Sequence, residues 1–285
     1  MKKIIKMAAI LPILFTACEK EATVNILTAT ATVAGSSETK TAYADNGKDA
    51  QSALRVSWND SETFKAYYTN TEYITFSKSN GNTFTATEVP VGVTASTEFT
   101  GVYGEKATYN SDGTVSIDFS GQDGTLENIG KYDVMTCISV NEAGALKFAF
   151  EHNCAILRIK LWNYTTSAKG EVRISFKNFS SIGGSNVNVP ATSGSGIIES
   201  TASTVTFSMN VSAFSGNKSS GVSKTVYAVI PSLTWNGTST GYGEYTGEEY
   251  FGKTVFMKGD IVAGKLYDVS ANCGVKEVSG GIWDR

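Results

Sequence analysis

Apolar and polar residues alternate in short runs along most of the chain, with turn-forming residues between the runs. Alternation with a period of two residues is typical of a β-strand that has one buried and one exposed face. No stretch of about 12 residues, the length of an average helix, keeps a helical stripe. Turn residues such as Asn-Gly and Asp-Gly occur at 80–81, 112–113, 123–124 and 236–237. The segments predicted as strands are 23–33, 54–58, 63–68, 73–77, 83–87, 114–119, 132–140, 146–161, 171–176, 204–211, 223–230 and 266–271.

Many short strands with turns between them indicate an all-β sandwich architecture rather than alternating strands and helices. Hydrophobic residues make up 41% of the 285 residues and charged residues 18%, so the chain can bury a core. We predict two β-sandwich domains, because the polar turn at 141–144 divides the chain into parts of ordinary domain size. The N-terminal domain is predicted at 22–142 and the C-terminal domain, with a short tail, at 143–285. Residues 165–170 are a second candidate for the boundary.

The first 17 residues are predicted to be a signal peptide. Three lysines precede an apolar run at 7–17, which is shorter than the about 20 residues that a membrane-spanning helix needs. The run ends in FTAC at 15–18, which resembles a bacterial lipobox, where small residues precede a lipidated cysteine. We predict that Cys18 is the lipid attachment site and that 18–21 form a lipidated leader. The alternative is an ordinary secretory signal in which Cys18 occurs by chance.

Charge and histidine content exclude several kinds of site. The formal net charge of −3 provides no positive excess for nucleic acid. His152 is the single histidine, so no metal site with several histidines can form. It lies two residues from Cys154, either as a thiol–imidazole pair or as a structural histidine at a domain junction that bonds to backbone. Because no orienting partner or oxyanion motif accompanies this pair, we expect no enzymatic activity, no metal and no cofactor.

Three cysteines remain besides Cys18, namely Cys137, Cys154 and Cys273. Their odd number and their spacing match no CxxC metal or redox pattern. Cys137 and Cys154 lie on successive predicted strands and are candidates for a disulfide. Three buried thiols are the other interpretation.

Aromatic residues are dense between 235 and 251, where glycines separate them. Such a segment is either a binding loop that stacks on sugar rings or inserts into a partner, or a hairpin that covers one end of a sandwich. The candidate binding residues are Trp235, Tyr242, Tyr245, Tyr250 and Phe251.

Several short motifs resemble the fimbrillin-like lipoproteins of anaerobic Gram-negative bacteria. The opening of that family is similar to TKT at 39–41, VSWND at 56–60 and FKAYY at 64–68, and YDVMT at 132–136 resembles a later strand. FAFEHNCAILRI at 148–159 and AGKLYDV at 263–269 resemble the strand that opens the second domain and the closing strand. The resemblance implies two tandem transthyretin-like β-sandwich domains, a lipid-anchored location at the cell outer membrane and a role in fimbriae or adhesion.

The resemblance also implies a mode of assembly. Family members that polymerise lose an N-terminal strand to an Arg-specific protease, and a strand of a partner subunit fills the groove by β-strand addition. Here Arg55 is the candidate processing site and 23–33 the removable strand, which carries apolar residues on both predicted faces, as expected between two neighbours. We favour Arg55 as a strand residue that folding protects from proteases. Gly280 and Gly281 interrupt the tail at 274–285, so it is a poor donor strand.

The sequence therefore predicts a surface-anchored fimbrillin-like lipoprotein that is a fimbrial subunit, accessory or tip component, or an adhesin. Its expected partners are the outer membrane through the lipid at Cys18, other fimbrial subunits, and a surface glycan or protein. The alternative is a glycan-binding surface lipoprotein of a polysaccharide-uptake system, with 235–251 as its platform.

Overall fold

The fold is taken from a computed structural model of the chain. It describes residues 25–33, 42–45, 54–177, 179–182, 187–188, 198–201, 204–235, 242–247, 250–254 and 259–272. These residues form a nearly all-β structure, and the one helix among them, α1 (Ile129–Tyr132), is a single turn. The predicted all-β class is therefore confirmed, whereas the tandem transthyretin-like arrangement stays a prediction.

The strands of the first half are short, as the spacing of the turn residues predicts. They are β1 (Leu27–Val33), β2 (Ala42–Asp45), β3 (Leu54–Ser57), β4 (Thr63–Tyr67), β5 (Tyr73–Asn80), β6 (Thr83–Ala86), β7 (Thr100–Tyr103), β8 (Ala107–Tyr109), β9 (Val115–Ile117), β10 (Met135–Ile138), β11 (Val140–Glu142) and β12 (Ala145–His152).

The second half contains the longest strands of the described chain. They are β13 (Cys154–Asn163), β14 (Lys169–Lys177), β15 (Phe179–Ile182), β16 (Val187–Asn188), β17 (Ile198–Thr201), β18 (Thr204–Phe214), β19 (Val222–Pro231), β20 (Leu233–Trp235), β21 (Tyr242–Gly247), β22 (Tyr250–Thr254) and β23 (Leu266–Asn272).

The first sheet closes on itself. Its strands follow the order β1–β6–β5–β4–β7–β10–β12, and β12 pairs in turn with β1. β1 runs antiparallel to β6 and parallel to β12. A strand near the N-terminus therefore completes the ring and is paired along both of its edges.

Aromatic side chains fill the inside of this ring. Phe64 stacks on Phe76 with ring centroids 5.1 Å apart, and its edge meets Phe148 and Phe150. Burial of one such side chain contributes about 1.5–3 kcal/mol to the free energy of folding. The alternation of the sequence is thus explained, because every second residue of these strands points into one aromatic core.

The predicted domain boundary at 141–144 lies within this sheet. β10 and β11 pair with β12 in one register, and the hairpin between β11 and β12 turns through Ala143 and Gly144, whose φ angles are 52° and 86°. Positive φ at both central residues is typical of a type I′ turn. Residues 145–152, assigned by the sequence to the C-terminal domain, therefore pair with strands of the first sheet. The division into two domains itself stays a prediction.

The predicted single strand at 146–161 is wrong in one respect. It is two strands in different sheets, β12 and β13, separated at Asn153, whose backbone N–H bonds to the Val134 carbonyl at 2.9 Å. Both strands are rich in apolar residues, so periodicity alone does not show the break. Tyr132 also departs from the prediction, since it ends α1 rather than beginning a strand.

Two further sheets carry most of the second half. β13 lies between β19, which is antiparallel to it, and β23, which is parallel to it. The other sheet has the order β17–β18–β14–β21–β22. Apolar residues from β13, β14, β18, β19 and β23 form a second core with residues of β9 and α1.

The segment between β9 and β10 joins this second core to the first sheet. The side chain of Gln122 is buried and pairs with the backbone of Val229, accepting from its N–H at 2.7 Å and donating to its carbonyl at 2.8 Å. The carbonyl of Gly124 accepts a bond from the N–H of Tyr227 at 2.9 Å. This segment is therefore fastened to β19 by hydrogen bonds as well as by apolar contact.

Candidate functional site

The first candidate site is β1 together with the groove that holds it. Ala29, Ala31 and Val33 are buried, with exposed fractions of 2%, 0% and 3%, whereas the threonines between them are exposed. The expectation of apolar residues on both faces is therefore wrong for the part of the segment that forms the strand. Its outer face carries Thr28, Thr30 and Thr32, because that face meets solvent rather than a second layer.

Small side chains of β1 face large ones in the groove. By register, Ala29 lies opposite Phe84 of β6 and Leu146 of β12, and Ala31 and Val33 lie opposite Phe148 and Phe150. Alanine fits here because the aromatic rings already fill most of the space inside the ring of strands. A larger residue at these positions would have to displace a packed ring.

Trp58 supports the groove from within the core. Its ring lies edge-on to Phe84, Tyr103 and Phe150, with centroids 5.2–6.3 Å apart. Its Nε1 is buried and has no hydrogen-bond partner among the described residues. The tryptophan of the family-like VSWND motif is thus a core residue of the β1 groove.

The candidate processing residue Arg55 lies within β3, as predicted. β3 pairs antiparallel with β2, and Arg55 is opposite Ala44. An extended, paired backbone is a poor protease substrate, since cleavage requires the chain to leave its pairing. Whether Arg55 is processed stays a prediction.

His152 and Cys154 each contact a different partner in the structure. Nδ1 of His152 lies 3.0 Å from the carboxylate of Asp133, which is 1% exposed. The Sγ of Cys154 donates instead to the carbonyl of Tyr132 at 3.7 Å. Asp133 was not predicted as the partner of His152, because the two residues lie 19 positions apart in the sequence.

Cys137 lies in β10 and packs against the aromatic core of the first sheet. Burial raises the pKa of its thiol far above the usual value. A hydrogen bond with the backbone of Gly101 lowers the pKa in part, and the charge of Glu151 raises it further. A thiol that stays protonated is a poor nucleophile. Cys137 and Cys154 form no disulfide in the described chain, and each packs in a different core.

The aromatic candidates at 235–251 fall into two groups. Trp235 ends β20 and packs against the second core, where its Nε1 is buried without a described partner. Tyr242 and Tyr245 lie in β21, and Tyr250 and Phe251 in β22, which form a hairpin with Phe251 opposite Thr246. A hairpin agrees with the interpretation of this segment as a hairpin rather than an irregular loop. A binding role for these aromatic residues stays a prediction.

A cluster of three tyrosines, Tyr67, Tyr73 and Tyr109, was not singled out from the sequence. The ring of Tyr67 lies 5.1 Å from that of Tyr73 and 4.3 Å from that of Tyr109. Burial raises the pKa of Tyr67, and the nearby phenols of the other two raise it further. We call these three residues the tyrosine cluster.

Two clefts adjoin the tyrosine cluster. A cleft of about 440 Å³ includes Tyr67, Lys65 and Lys131, and one of about 380 Å³ includes Tyr109 and Glu151. Tyr67 and Tyr73 lie opposite each other in the paired strands β4 and β5. The strand pattern does not predict that Tyr109 joins them, because β8 belongs to a separate small sheet.

Other predicted features lie outside the described residues, among them Cys18, Cys273 and the tail at 274–285. In the described part of the chain, no helix has the length and apolar character needed to span a membrane. The same residues contain no group of three or more acidic, histidine or cysteine side chains placed to hold a metal ion.

Comparison with known proteins gave matches among solved structures alone, since no family model and no curated protein matches the chain. A "putative cell adhesion protein" from Bacteroides ovatus ATCC 8483 has 12% identity and a TM-score of 0.48, over 86% of this chain and 91% of that one. Another from Bacteroides eggerthii DSM 20697 has 10% identity and a TM-score of 0.39, over 90% and 88%.

A fimbrial protein from Bacteroides ovatus ATCC 8483 has 11% identity and a TM-score of 0.32, and the match covers 87% of this chain and 50% of that one. All three TM-scores are below 0.5, so the fold class rests on the strand pairings of this chain. By their names these structural neighbours are cell adhesion and fimbrial proteins of Bacteroides.

Proposed function

We propose that this chain is a fimbrillin-like lipoprotein of the cell surface, anchored through Cys18, that acts as an accessory or tip component of a fimbria or as an adhesin. The observation that carries the proposal is the position of β1. A strand near the N-terminus is inserted between β6 and β12 and closes the first sheet. The motifs that resemble fimbrillin-like lipoproteins imply that such a strand takes part in subunit assembly.

The geometry of β1 suits exchange of one strand for another. Its backbone pairs with β12 over five residues and with β6 over four. Loss of β1 would open two strand edges and uncover Phe84, Phe148 and Phe150. A strand from a partner restores both sets of hydrogen bonds, and small residues at alternate positions select the strand that fits.

The same structure favours a role other than a repeating shaft subunit. The bond after Arg55 lies within paired β3, so proteolytic release of the preceding segment requires local unfolding. The glycines at 280 and 281 weaken the tail as a donor. We therefore propose that the unprocessed chain keeps β1 in place and is a monomer.

Limited proteolysis tests this role. The folded chain is treated with an Arg-specific protease and followed by gel filtration, with the Arg55→Gln variant as the matched control. We expect wild type and variant to remain monomeric and to be cut at similar rates. A ladder of oligomers that follows cleavage after Arg55, and that the variant does not form, would establish a shaft subunit and overturn the accessory role.

A further inference from the structure

We propose that the tyrosine cluster and its two clefts form a binding site for a neutral oligosaccharide. The site consists of Tyr67, Tyr73 and Tyr109 on the outside of the first sheet. The inference rests on the adhesion part of the proposed function and names the chemical class of its ligand. It is independent of strand exchange at β1, which lies in a different part of the sheet.

The first observation is that the tyrosine cluster is partly accessible. Tyr73 is 44% exposed, whereas Tyr67 and Tyr109 pack against the second core on one side and are partly exposed on the other. Large aromatic side chains at a surface offer apolar faces and polar edges, which is the combination that sugar rings match with their C–H faces and hydroxyl groups. The tyrosines lie together rather than singly, so their contact areas add up.

The second observation concerns hydrogen bonding. Within the described part of the chain, none of the three phenol hydroxyls has a hydrogen-bond partner. Tyr67 is the most informative, because burial is the largest cause of the rise in its pKa, yet no described group bonds to its hydroxyl. Three such hydroxyls close together are free to donate to and accept from the hydroxyl groups of a sugar.

The third observation is the shape of the surroundings. Tyr67 lines the larger cleft and Tyr109 the smaller one, and their rings are tilted by 35° with centroids 4.3 Å apart, so this pair connects the two clefts. Volumes of about 440 and 380 Å³ each lie within the range of about 300–1,000 Å³ that is usual for small-molecule sites. An elongated ligand of several rings suits two adjoining clefts better than a single compact molecule.

The site is also held rigid before any ligand arrives. The Nδ2 of Asn70 donates to the carbonyl of Ser111 at 2.8 Å, which ties the β4–β5 turn to the β8–β9 turn. Asn110 donates to Thr114 and Ser116 across its hairpin at 2.9 and 2.8 Å. Such preorganisation lowers the entropy that binding must otherwise overcome.

Charge selects a neutral ligand over an anionic one. The lysines of the larger cleft, Lys65 and Lys131, are outnumbered by Glu62, Glu105 and Glu127, and the smaller cleft contributes Glu151 without a lysine. Lys65 also places its Nζ 4.8 Å from the Tyr73 ring. Sulfated or uronic-acid sugars would meet net negative charge here, whereas neutral sugars can use the carboxylates as hydrogen-bond acceptors.

The test uses the whole chain and a panel of hexasaccharides, measured by calorimetry and by saturation-transfer NMR. The neutral probes are maltohexaose, xylohexaose, mannohexaose and N-acetylchitohexaose, and the anionic probes are hexagalacturonate and a heparin hexasaccharide. We expect at least one neutral probe to bind and Tyr109→Ala to weaken its affinity about tenfold. Tyr164→Ala, which removes a tyrosine that lines neither cleft, is the matched control and should leave the affinity unchanged.

Tyr73→Phe and Tyr109→Phe keep the rings in place and remove single hydroxyls, so they separate binding from folding. We expect each to weaken binding severalfold with an unchanged melting temperature. The inference is overturned if no neutral probe binds, if anionic probes alone bind, or if affinity survives these variants and falls with Trp235→Ala instead. None of these results bears on the oligomer test of the proposed function, so the two can fail separately.

Discussion

Nδ1 of His152 lies 3.0 Å from a carboxylate oxygen of Asp133, and both side chains are largely withdrawn from solvent. The pair joins two of the family-like motifs, YDVMT and FAFEHNCAILRI, at the point where the chain leaves the first sheet for β13. A third motif, AGKLYDV, adds Gly264, where a Cβ atom would lie 3.4 Å from the His152 ring. Three motifs that are distant in sequence thus meet around one histidine.

We expect removal of either partner of this pair to destabilise the fold. Asp133→Ala and His152→Ala should each lower the free energy of unfolding by about 3 kcal/mol, because a buried polar group loses its partner. Chemical denaturation of the two single variants and the double variant measures the coupling, which we expect to exceed about 1 kcal/mol. The more exposed pair Lys106–Asp118 is the control, with an expected coupling below about 1 kcal/mol. Additive losses at Asp133 and His152 would contradict a direct interaction.

The two faces of β1 should respond differently to the same substitution. Ala31→Glu places a charge in the aromatic core and should lower the free energy of unfolding by at least about 3 kcal/mol. Thr30→Glu, one residue earlier on the exposed face, should change it by less than about 0.5 kcal/mol. Equal effects of the two substitutions in a thermal or urea melt would show that β1 is not held in the groove.

Gly124 should tolerate no side chain. Its φ is +77°, and a Cβ atom would lie 2.6 Å from Cγ1 of Val211 and 3.0 Å from Cβ of Val226. Gly113 has a similar φ of +84°, and a Cβ atom there would make only an ordinary contact with the Tyr109 hydroxyl at 3.8 Å. Gly113→Ala therefore measures the backbone cost of the substitution, which is about 1–2 kcal/mol. We expect Gly124→Ala to be more destabilising than Gly113→Ala by about 1–3 kcal/mol in urea unfolding. Similar losses would mean that the segment is not packed against β18 and β19.

Stability should fall at acidic pH through the aspartates of three turns, Asp112, Asp118 and Asp123. Burial alone would raise the pKa of Asp123, but hydrogen bonds from Thr125 and Asn128 outweigh it and lower the pKa. A carboxyl with a lowered folded-state pKa stabilises the protein above its unfolded-state value of about 3.9. This contribution is lost as the pH falls through the folded-state pKa.

Asp123→Asn keeps an acceptor for Thr125 and removes the charge, so its melting temperature should depend less on pH below about 5 than that of the wild type. The two proteins should converge at the most acidic pH. Parallel curves for wild type and variant across this range would show that Asp123 does not contribute.

The lipid anchor is tested at Cys18. We expect Cys18→Ser to move the expressed protein from the detergent phase to the aqueous phase in a phase-partition assay, because the acyl chains that hold it are no longer attached. Cys137→Ser retains the lipidated cysteine and should remain in the detergent phase. Detergent partitioning of Cys18→Ser would refute the anchor.

The sequence alone determined the all-β class and the positions of many strands along the chain. Alternation locates β4, β5, β6, β18, β19 and β23 to within a few residues, because every second residue of a strand with one buried face is apolar. The strands β7 and β8 were not predicted, because three successive residues of β7 are buried and β8 has no buried residue, so neither strand alternates as β6 does. The tight turn at 143–144 was recognised as a turn, yet its place between strands of one sheet was not visible.

Tertiary structure decided which segments meet. The continuous apolar run at 146–161 contains strands of two different sheets. The sequence does not show where one strand ends and the next begins, because a strand buried by either sheet has the same composition. The closure of the first sheet by β1, the Asp133–His152 pair and the tyrosine cluster all join residues far apart in the chain. Periodicity reports whether a residue faces a core, whereas the identity of its neighbours depends on strand pairing over long sequence separations. A candidate site built from such neighbours is therefore a property of the fold.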